Sequence, residues 1–248
     1  MIIIKTEYEI ELMREGGKIL SKLLNHLIDL AKPGLSTLEL DRFAYEFILS
    51  SGAKPSFLNY NGFPASLCIS LNEVLIHGIP KENIIIKEGD TVSIDAGIYY
   101  KGYHTDAART FTVGKVDKTI TKLIDVTEKS FFEGISYAKP GNRLSDISAA
   151  IERTVVSAGF FVVREYVGHG IGRNLHEEPS IPNYGKPGNG PVLKKGMTLA
   201  IEPMVLQKSA RVTTRSDGWT VAATNGLTTS HYENTIVITE NDPEILTI

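Results

Sequence analysis

The sequence predicts a mixed α/β (α+β) fold built from two similar halves, and three observations predict it. The tetrapeptide Ala31-Lys32-Pro33-Gly34 recurs as Ala138-Lys139-Pro140-Gly141, an offset of 107 residues. A helical pattern follows each copy and stops at a glycine, Gly52 in one case and Gly159 in the other, again 107 apart. Farther on, Gly89-x-Thr91-x-x-Ile94-Asp95 pairs with Gly196-x-Thr198-x-x-Ile201-Glu202 at the same offset of 107. Three matches at one offset point to a duplicated plan. They also place one acid, Asp95 or Glu202, at equivalent points of the two halves.

Each element has a local reason. Thr6-x-x-Glu9 is a capping box that opens a long helix ending at Lys32-Pro33-Gly34. Ser36-x-x-Glu39 opens a second helix, to about Ser51. The pair is expected again at roughly 118–138 and 143–158. After each pair the pattern turns to strands. Val92, Ile94, Ala96 and Ile98 alternate with Ser93, Asp95 and Gly97. A turn at Tyr100-Lys101-Gly102 leads into 103–113, which reads as the second arm of a hairpin. Residues 167–190 are rich in Gly, Pro and Asn and read as loop. Late in the chain Glu233, Thr235 and Val237 alternate with Asn234, Ile236 and Ile238 as a last strand. No low-complexity linker intervenes, so one domain is expected over residues 1–248, its halves at roughly 1–113 and 114–248 and sharing one core.

Composition excludes several classes. A net charge of −3 does not fit the basic footprint of a nucleic-acid binder. Cys68 is alone, which excludes an internal disulfide and fits a reducing compartment. The opening Met1-Ile2-Ile3-Ile4 is too short for a signal peptide and is followed at once by charge. No run of about 20 apolar residues exists to span a membrane. A cytoplasmic globular protein is expected.

The chemistry lies in acids on strands. Asp95 and Asp106 fall on the two arms of the hairpin, and a turn near 100–102 places them roughly opposite each other, about 5 Å apart. Two carboxylates so close would keep one protonated unless a cation intervened. His169 sits in Gly168-His169-Gly170-Ile171-Gly172, where glycines let backbone approach a ligand. Glu202 ends an apolar strand, where an unpaired charge would cost several kcal/mol. Glu233 lies in His231-Tyr232-Glu233-Asn234-Thr235. Two Asp, two Glu and a neutral His balance two divalent ions. An oxygen-rich set with one imidazole suits Co, Mn, Fe or Zn at a catalytic site, and the absence of Cys ligands argues against structural zinc.

These residues resemble, in order and surroundings, the type I methionine aminopeptidases of the short bacterial form. The resemblance is carried by Tyr166-Val167-Gly168-His169-Gly170-Ile171-Gly172 with His176, Ile181, Asn183 and Tyr184. It continues in Leu75-Ile76-His77-Gly78-Ile79-Pro80, Ser93-Ile94-Asp95-Ala96-Gly97, Ile201-Glu202-Pro203-Met204 and Glu233-Asn234-Thr235. It implies the pita-bread fold, two pseudo-symmetric α/β halves with a curved antiparallel sheet around a dimetal site. It implies that Asp95, Asp106 and Glu233 hold a first ion, and that His169 and Glu202, with Asp106 and Glu233 bridging, hold a second. His176 would hydrogen-bond the scissile peptide, His77 would contact the residue after methionine, and Glu202 would shuttle the proton between water and leaving amine. Tyr60, Phe63, Cys68, Leu175 and Trp219 match positions lining the methionine pocket, although the same residue types also suit plain core. Cys68, in an alternating strand pattern, is read as packed and not as a nucleophile. Thr105, immediately before Asp106, departs from the glycine usual there and puts local metal geometry in question.

The implied substrates are nascent polypeptides with a small second residue, met near the ribosome exit by a monomer without nucleic-acid or membrane partners. No zinc-binding extension precedes residue 1, so docking through one is not expected. A prolidase-like peptidase, a pita-bread binding protein without activity and a structural metal protein are the competing readings. Prolidases usually carry a further N-terminal domain, inactive relatives lose metal ligands, and a structural site would be closed to water.

Overall fold

Thr6 and Ser36 cap the helices that the sequence predicts for them. The computed structural model of the protein describes residues 1–209 and 211–248. The Thr6 hydroxyl accepts from the N–H of Glu9, whose carboxylate accepts from the N–H of Thr6 at 2.8 Å, and α1 (Glu7–Leu30) begins there. Ser36 and Glu39 repeat the exchange at the start of α2 (Thr37–Ser50). The second pair is capped by acids instead. Asp117 accepts from Thr119 N–H ahead of α3 (Lys118–Ile135), and Asp146 accepts from Arg143 N–H ahead of α4 (Leu144–Ser157).

Between the helix pairs lie β1 (Lys54–Pro55), β2 (Leu67–Leu71), β3 (Val74–Ile76), β4 (Thr91–Tyr100) and β5 (Tyr103–Thr112). After α4 come β6 (Phe161–Val162), β7 (Gly168–Gly170), β8 (Glu177–Ile181), β9 (Thr198–Ile201) and β10 (Met204–Leu206). Last are β11 (Val212–Thr214), β12 (Val221–Ala223), β13 (Thr229–His231), β14 (Glu233–Val237) and β15 (Glu244–Ile245). The main sheet is antiparallel in the order β1-β4-β5-β14-β9-β7-β8, with β2 also on β4 and β15 also on β14. Two three-stranded sheets, β13-β10-β6 and β11-β12-β3, flank it.

Positions 107 apart share backbone geometry. Gly34 N–H donates to Ile86 O at 2.9 Å, and Gly141 N–H donates to Leu193 O at 3.1 Å. Ile86 N–H returns to Leu35 O at 2.9 Å, and Leu193 N–H to Asn142 O at 2.8 Å. Gly34 and Gly141 have φ of 97° and 92°, a region L side chains avoid, so the turn preserves its glycine in both places.

Each helix pair covers its own apolar cluster. Leu20, Leu23, Leu24 and Leu27 of α1, with Leu40, Ala44 and Ile48 of α2, pack on Val92, Ile94, Ala96 and Ile98 of β4. Full burial of each leucine contributes about 1.5–3 kcal/mol. Phe131 of α3 and Ile147 and Ile151 of α4 pack likewise on Leu199, Ile201 and Ile236. A third cluster joins the halves, with Met13, Phe57 and Cys68 against Ile171, Leu175 and Val237. Among the described residues no helix is long and apolar enough to cross a membrane.

Two expectations require correction. The hairpin turn has two residues, Lys101 and Gly102, with φ of 47° and 95°, the left-handed pair that matches strand twist. That register sets Gly97 opposite Asp106 and Asp95 opposite Ala108, so the two acids are diagonal neighbours on one face and not directly opposed. Residues 167–190, read as loop, contain β7 and β8. Their glycines serve close strand contact: a Cβ on Gly168 would stand 2.5 Å from Ala200 O, and one on Gly170 would stand 2.2 Å from Glu178 O.

Candidate active site

Alternation along a strand sends successive side chains to opposite faces. On β4 it sends Val92, Ile94, Ala96 and Ile98 to the helices and leaves Asp95 on the other face, with Asp106 of β5 beside it. Glu233 opens β14, His169 is the middle residue of β7, and Glu202 directly follows β9. The sequence-predicted ligands therefore come from five neighbouring strands, β4, β5, β14, β9 and β7, in that spatial order.

All five line one cavity of about 270 Å³. Asp106, His169 and Glu233 each offer a ligand atom within 4.8 Å of the others. His169 Nδ1 lies 2.8 Å from Gly170 O, which fixes Nδ1 as the donor and leaves Nε2 free, 3.8 Å from Glu202 Oε1. Backbone anchors fix the acids. Thr235 Oγ1 accepts from Asp106 N–H at 2.9 Å and donates to Asp106 O at 3.0 Å. Asn183 Nδ2 donates to Glu202 O at 2.9 Å. Arg109, stacked on the Tyr232 ring, donates to Glu233 O at 2.6 Å.

The apolar side of the cavity is made by Phe63, Cys68, Leu175 and Trp219, with Phe63 edge-on to Trp219 at 5.2 Å. Cys68 pairs with Asp95 across β2 and β4, and burial followed by the charge of Asp95 pushes its thiol well above the usual range. It is an inert wall residue. Tyr60 and His176 meet at the rim, with Tyr60 Oη 2.7 Å from His176 Nδ1. His77, at φ 56°, stands between Tyr166 and Trp219, and burial holds its pKa down at about 4. The structure thus brings every sequence-predicted site residue to one cavity.

One neighbour escaped the sequence reading. His231, at the end of β13, is 1 % exposed, and its Nε2 lies 3.6 Å from Glu202 Oε2 and 3.8 Å from Glu233 Oε2. Its only signal was its position two residues before Glu233.

The electrostatics call for cations. Burial, and then mutual repulsion, pushes Asp106, Glu202 and Glu233 well above the carboxylate range. Burial takes Asp95 up to about 7, against a hydrogen bond with Asp106 that lowers it. Asp95 Oδ1, Asp106 Oδ1 and Glu233 Oε1 are buried without hydrogen-bond partners among the described residues. Orphaned carboxylate oxygens beside a neutral imidazole fit divalent ions and fit little else.

A pH dependence follows. As pH rises past 6.5, the ordinary histidine value, unfolded histidines and carboxylates give up their last protons, while the raised carboxyls of Asp95, Asp106, Glu202 and Glu233 in the folded protein still hold some. Metal-free protein is therefore expected to lose stability as pH rises from 6.5 to 8, and ion binding at pH 7 to release protons. Calorimetric titration of stripped protein in buffers of different ionisation heat checks this. Binding heats independent of buffer would contradict it.

A sequence profile of metallopeptidase family M24 matches residues 11–240. The chain is 56 % identical over 248 residues to a methionine aminopeptidase of Clostridium perfringens, covering 100 % of this chain and 99 % of that protein. It is 51 % identical over 247 residues to methionine aminopeptidase 1 of Bacillus subtilis, covering 100 % and 99 %. The crystal structure of methionine aminopeptidase from Thermotoga maritima superposes with a TM-score of 0.98 at 46 % identity, covering 100 % of this chain and 99 % of that one. A prolidase from Pyrococcus furiosus superposes at 0.80 with 26 % identity, covering 99 % of this chain and 65 % of its own. The pita-bread architecture expected from the sequence is the one these structures share.

Proposed function

The chain belongs to metallopeptidase family M24, in its methionine aminopeptidase branch, and on that premise we propose that it removes the N-terminal methionine from nascent polypeptides with a small second residue. The observation that carries this reading is one cavity with carboxylates and imidazole on one side and a soft apolar wall on the other. About 270 Å³ accommodates a single side chain and its backbone, and Phe63, Trp219 and Cys68 suit a thioether. A proline-specific activity is less well supported, since the chain is 26 % identical to the Pyrococcus prolidase and 56 % identical to the Clostridium methionine aminopeptidase.

Asp95, Asp106, His169, Glu202 and Glu233 would hold two divalent ions, chosen from Co, Mn, Fe and Zn by availability. When bound, the ions would supply Lewis acidity and lower the pKa of water in the site. The chain's own residues do the rest. Burial keeps the Tyr60 hydroxyl protonated, so it donates to His176 Nδ1 and leaves Nε2–H for the substrate carbonyl as negative charge develops there. Glu202, mostly shielded from solvent and readily protonated, takes the proton of the attacking water and passes it to the departing amine. His77 stays neutral beside Trp219 and offers steric and hydrogen-bonding contact to the second residue. The work is assigned to the cytoplasm, near the ribosome exit, by a monomer.

Chelator-stripped protein restored with each ion in turn tests the reading. Release of free methionine from Met-Ala-Ser should depend on metal and be on the order of a hundredfold slower from Met-Leu-Ser. An Ala-Pro peptide should stay intact. Equal cleavage of Met-Leu-Ser would remove the second-residue preference, and cleavage of Ala-Pro instead would move the chain to the proline-specific branch.

A further inference from the structure

The two imidazoles beside Glu202 are held differently. His169 has an acceptor for Nδ1–H, the Gly170 carbonyl at 2.8 Å, which is how a ligating histidine is oriented. His231 has no hydrogen-bond partner on either ring nitrogen among the described residues. If its Nε2 ligated an ion, its Nδ1–H would be a buried donor with nothing to bond, a costly arrangement. If Nε2 carries the proton, only an acceptor is left unpaired.

The ring is also well aimed. Its backbone is fixed from both sides by one side chain: Thr110 Oγ1 accepts from His231 N–H at 3.0 Å and donates to His231 O at 2.7 Å. His231 pairs with Met204 across β13 and β10, next to an apolar cluster containing Met204, Leu206 and Val163. From this fixed place Nε2 faces Glu202 Oε2 at 3.6 Å and Glu233 Oε2 at 3.8 Å. The other oxygen of Glu202, Oε1, faces His169. One carboxylate thus presents one oxygen to each imidazole.

We propose that His231 is a positioning residue that presents Nε2–H to Glu202 and Glu233 and holds their carboxylates in the orientation that ligates the ions. The inference rests on the ligation proposed above for those two acids. A carboxylate that holds ions, through one oxygen or bridging, still has lone pairs left to satisfy, and a neutral N–H beside it does so without competing for the ion. Because His231 contacts Glu202, it also sets the aim of the group that moves the proton.

The test is substitution of His231 by Gln, Asn and Leu. Glutamine carries an amide N–H at comparable reach, asparagine is one methylene shorter, and leucine has no donor. Stripped proteins are titrated with Co²⁺ by calorimetry and by the visible absorption of the bound ion, and kcat and KM are measured on Met-Ala-Ser. Asn and Leu should bind Co²⁺ about 10–100-fold more weakly, with an altered spectrum and a fall in kcat larger than any change in KM, while Gln stays within about threefold of the native protein. If Leu destabilises the fold, the polar Asn variant still separates donor loss from packing loss. Native affinity and spectrum in Asn or Leu would overturn the proposal. So would a Gln variant that binds one ion fewer, since that would make His231 a ligand. A native protein that bound no Co²⁺ would overturn the reading of the site itself, and the inference with it.

Discussion

Replacing Asp106 by Asn is expected to lower kcat/KM by more than about a hundredfold, beyond what loss of an outer partner alone costs, while making the metal-free protein more stable. Asp106 is central to the cavity. Burial and the neighbouring charges of Glu233 and Asp95 push its carboxyl well above the usual range, and it forms one cluster of potential ligand atoms with His169 and Glu233. The amide keeps the shape of the side chain, and the Thr235 hydroxyl still holds the backbone on both sides. What is lost is one charge from a set that balances two divalent ions. The same change relieves repulsion that burial makes severe when no ion is present. For a chain of this size each 1 kcal/mol gained should raise the thermal midpoint by about 2–4 °C. The measurement is a pair of melts, with chelator and with Co²⁺, beside steady-state rates. A lower midpoint in chelator would mean that the acids are not in conflict, and a native rate would remove Asp106 from the site.

Lys5→Met is expected to cost about 3–5 kcal/mol of stability, because it leaves the partner of a buried ion pair uncompensated. Lys5 Nζ lies 2.5 Å from Glu177 Oε2, and the two side chains are 3 % and 4 % exposed. Glu177 adjoins His176, and its other oxygen accepts from Asn174 N–H at 3.2 Å. The pair therefore pins the segment carrying His176 and Leu175 to the N-terminal strap, itself tied by Lys5 N–H to Gly196 O at 2.8 Å. A midpoint about 6–20 °C lower is expected, with a raised KM for Met-Ala-Ser as His176 loses its fixed place. Lys5→Met combined with Glu177→Gln removes both charges and should recover more than half of the stability loss. A single variant melting within about 2 °C of the native protein would show that the pair is solvated and contributes little.

Much of the fold was legible because its signals are local. The capping boxes at Thr6 and Ser36 and the repeated Ala-Lys-Pro-Gly turn depend on residues close in sequence. The candidate ligands were legible as a set, since acids in apolar strands require a reason to be there, and the structure gathers them at one cavity. The register of Asp95 against Asp106 was not, because it turns on whether the hairpin closes with two residues or three. Nor were the strands around His169: glycine marks both a loop and a close approach of backbones, and only Ala200 O and Glu178 O decide between them. Lys5 meets Glu177, remote in sequence, and left no local pattern, while His231 stands two residues before Glu233 but meets Glu202 only once the sheets are formed. Thr105 was flagged for sitting beside Asp106, yet adjacency on a strand means opposite faces. Its side chain is buried beside Gly16 of α1, on the helix side of the sheet and away from the cavity.

The order of strands in the main sheet differs from their order in the chain. β14 lies between β5 and β9, so Glu233, last of the five acid and imidazole groups along the sequence, is the middle one in space. The strand made late is the keystone joining the two halves' contributions. Until it is inserted, β5 and β9 present open edges and no ion meets a full ligand set. On the ligation proposed above, metal capture is a report of completed folding, and a chain cut short of residue 233 lacks the middle member of the set. On the activity proposed above, a protein that trims other chains as they are made stays inert until its own β14 has been made and inserted.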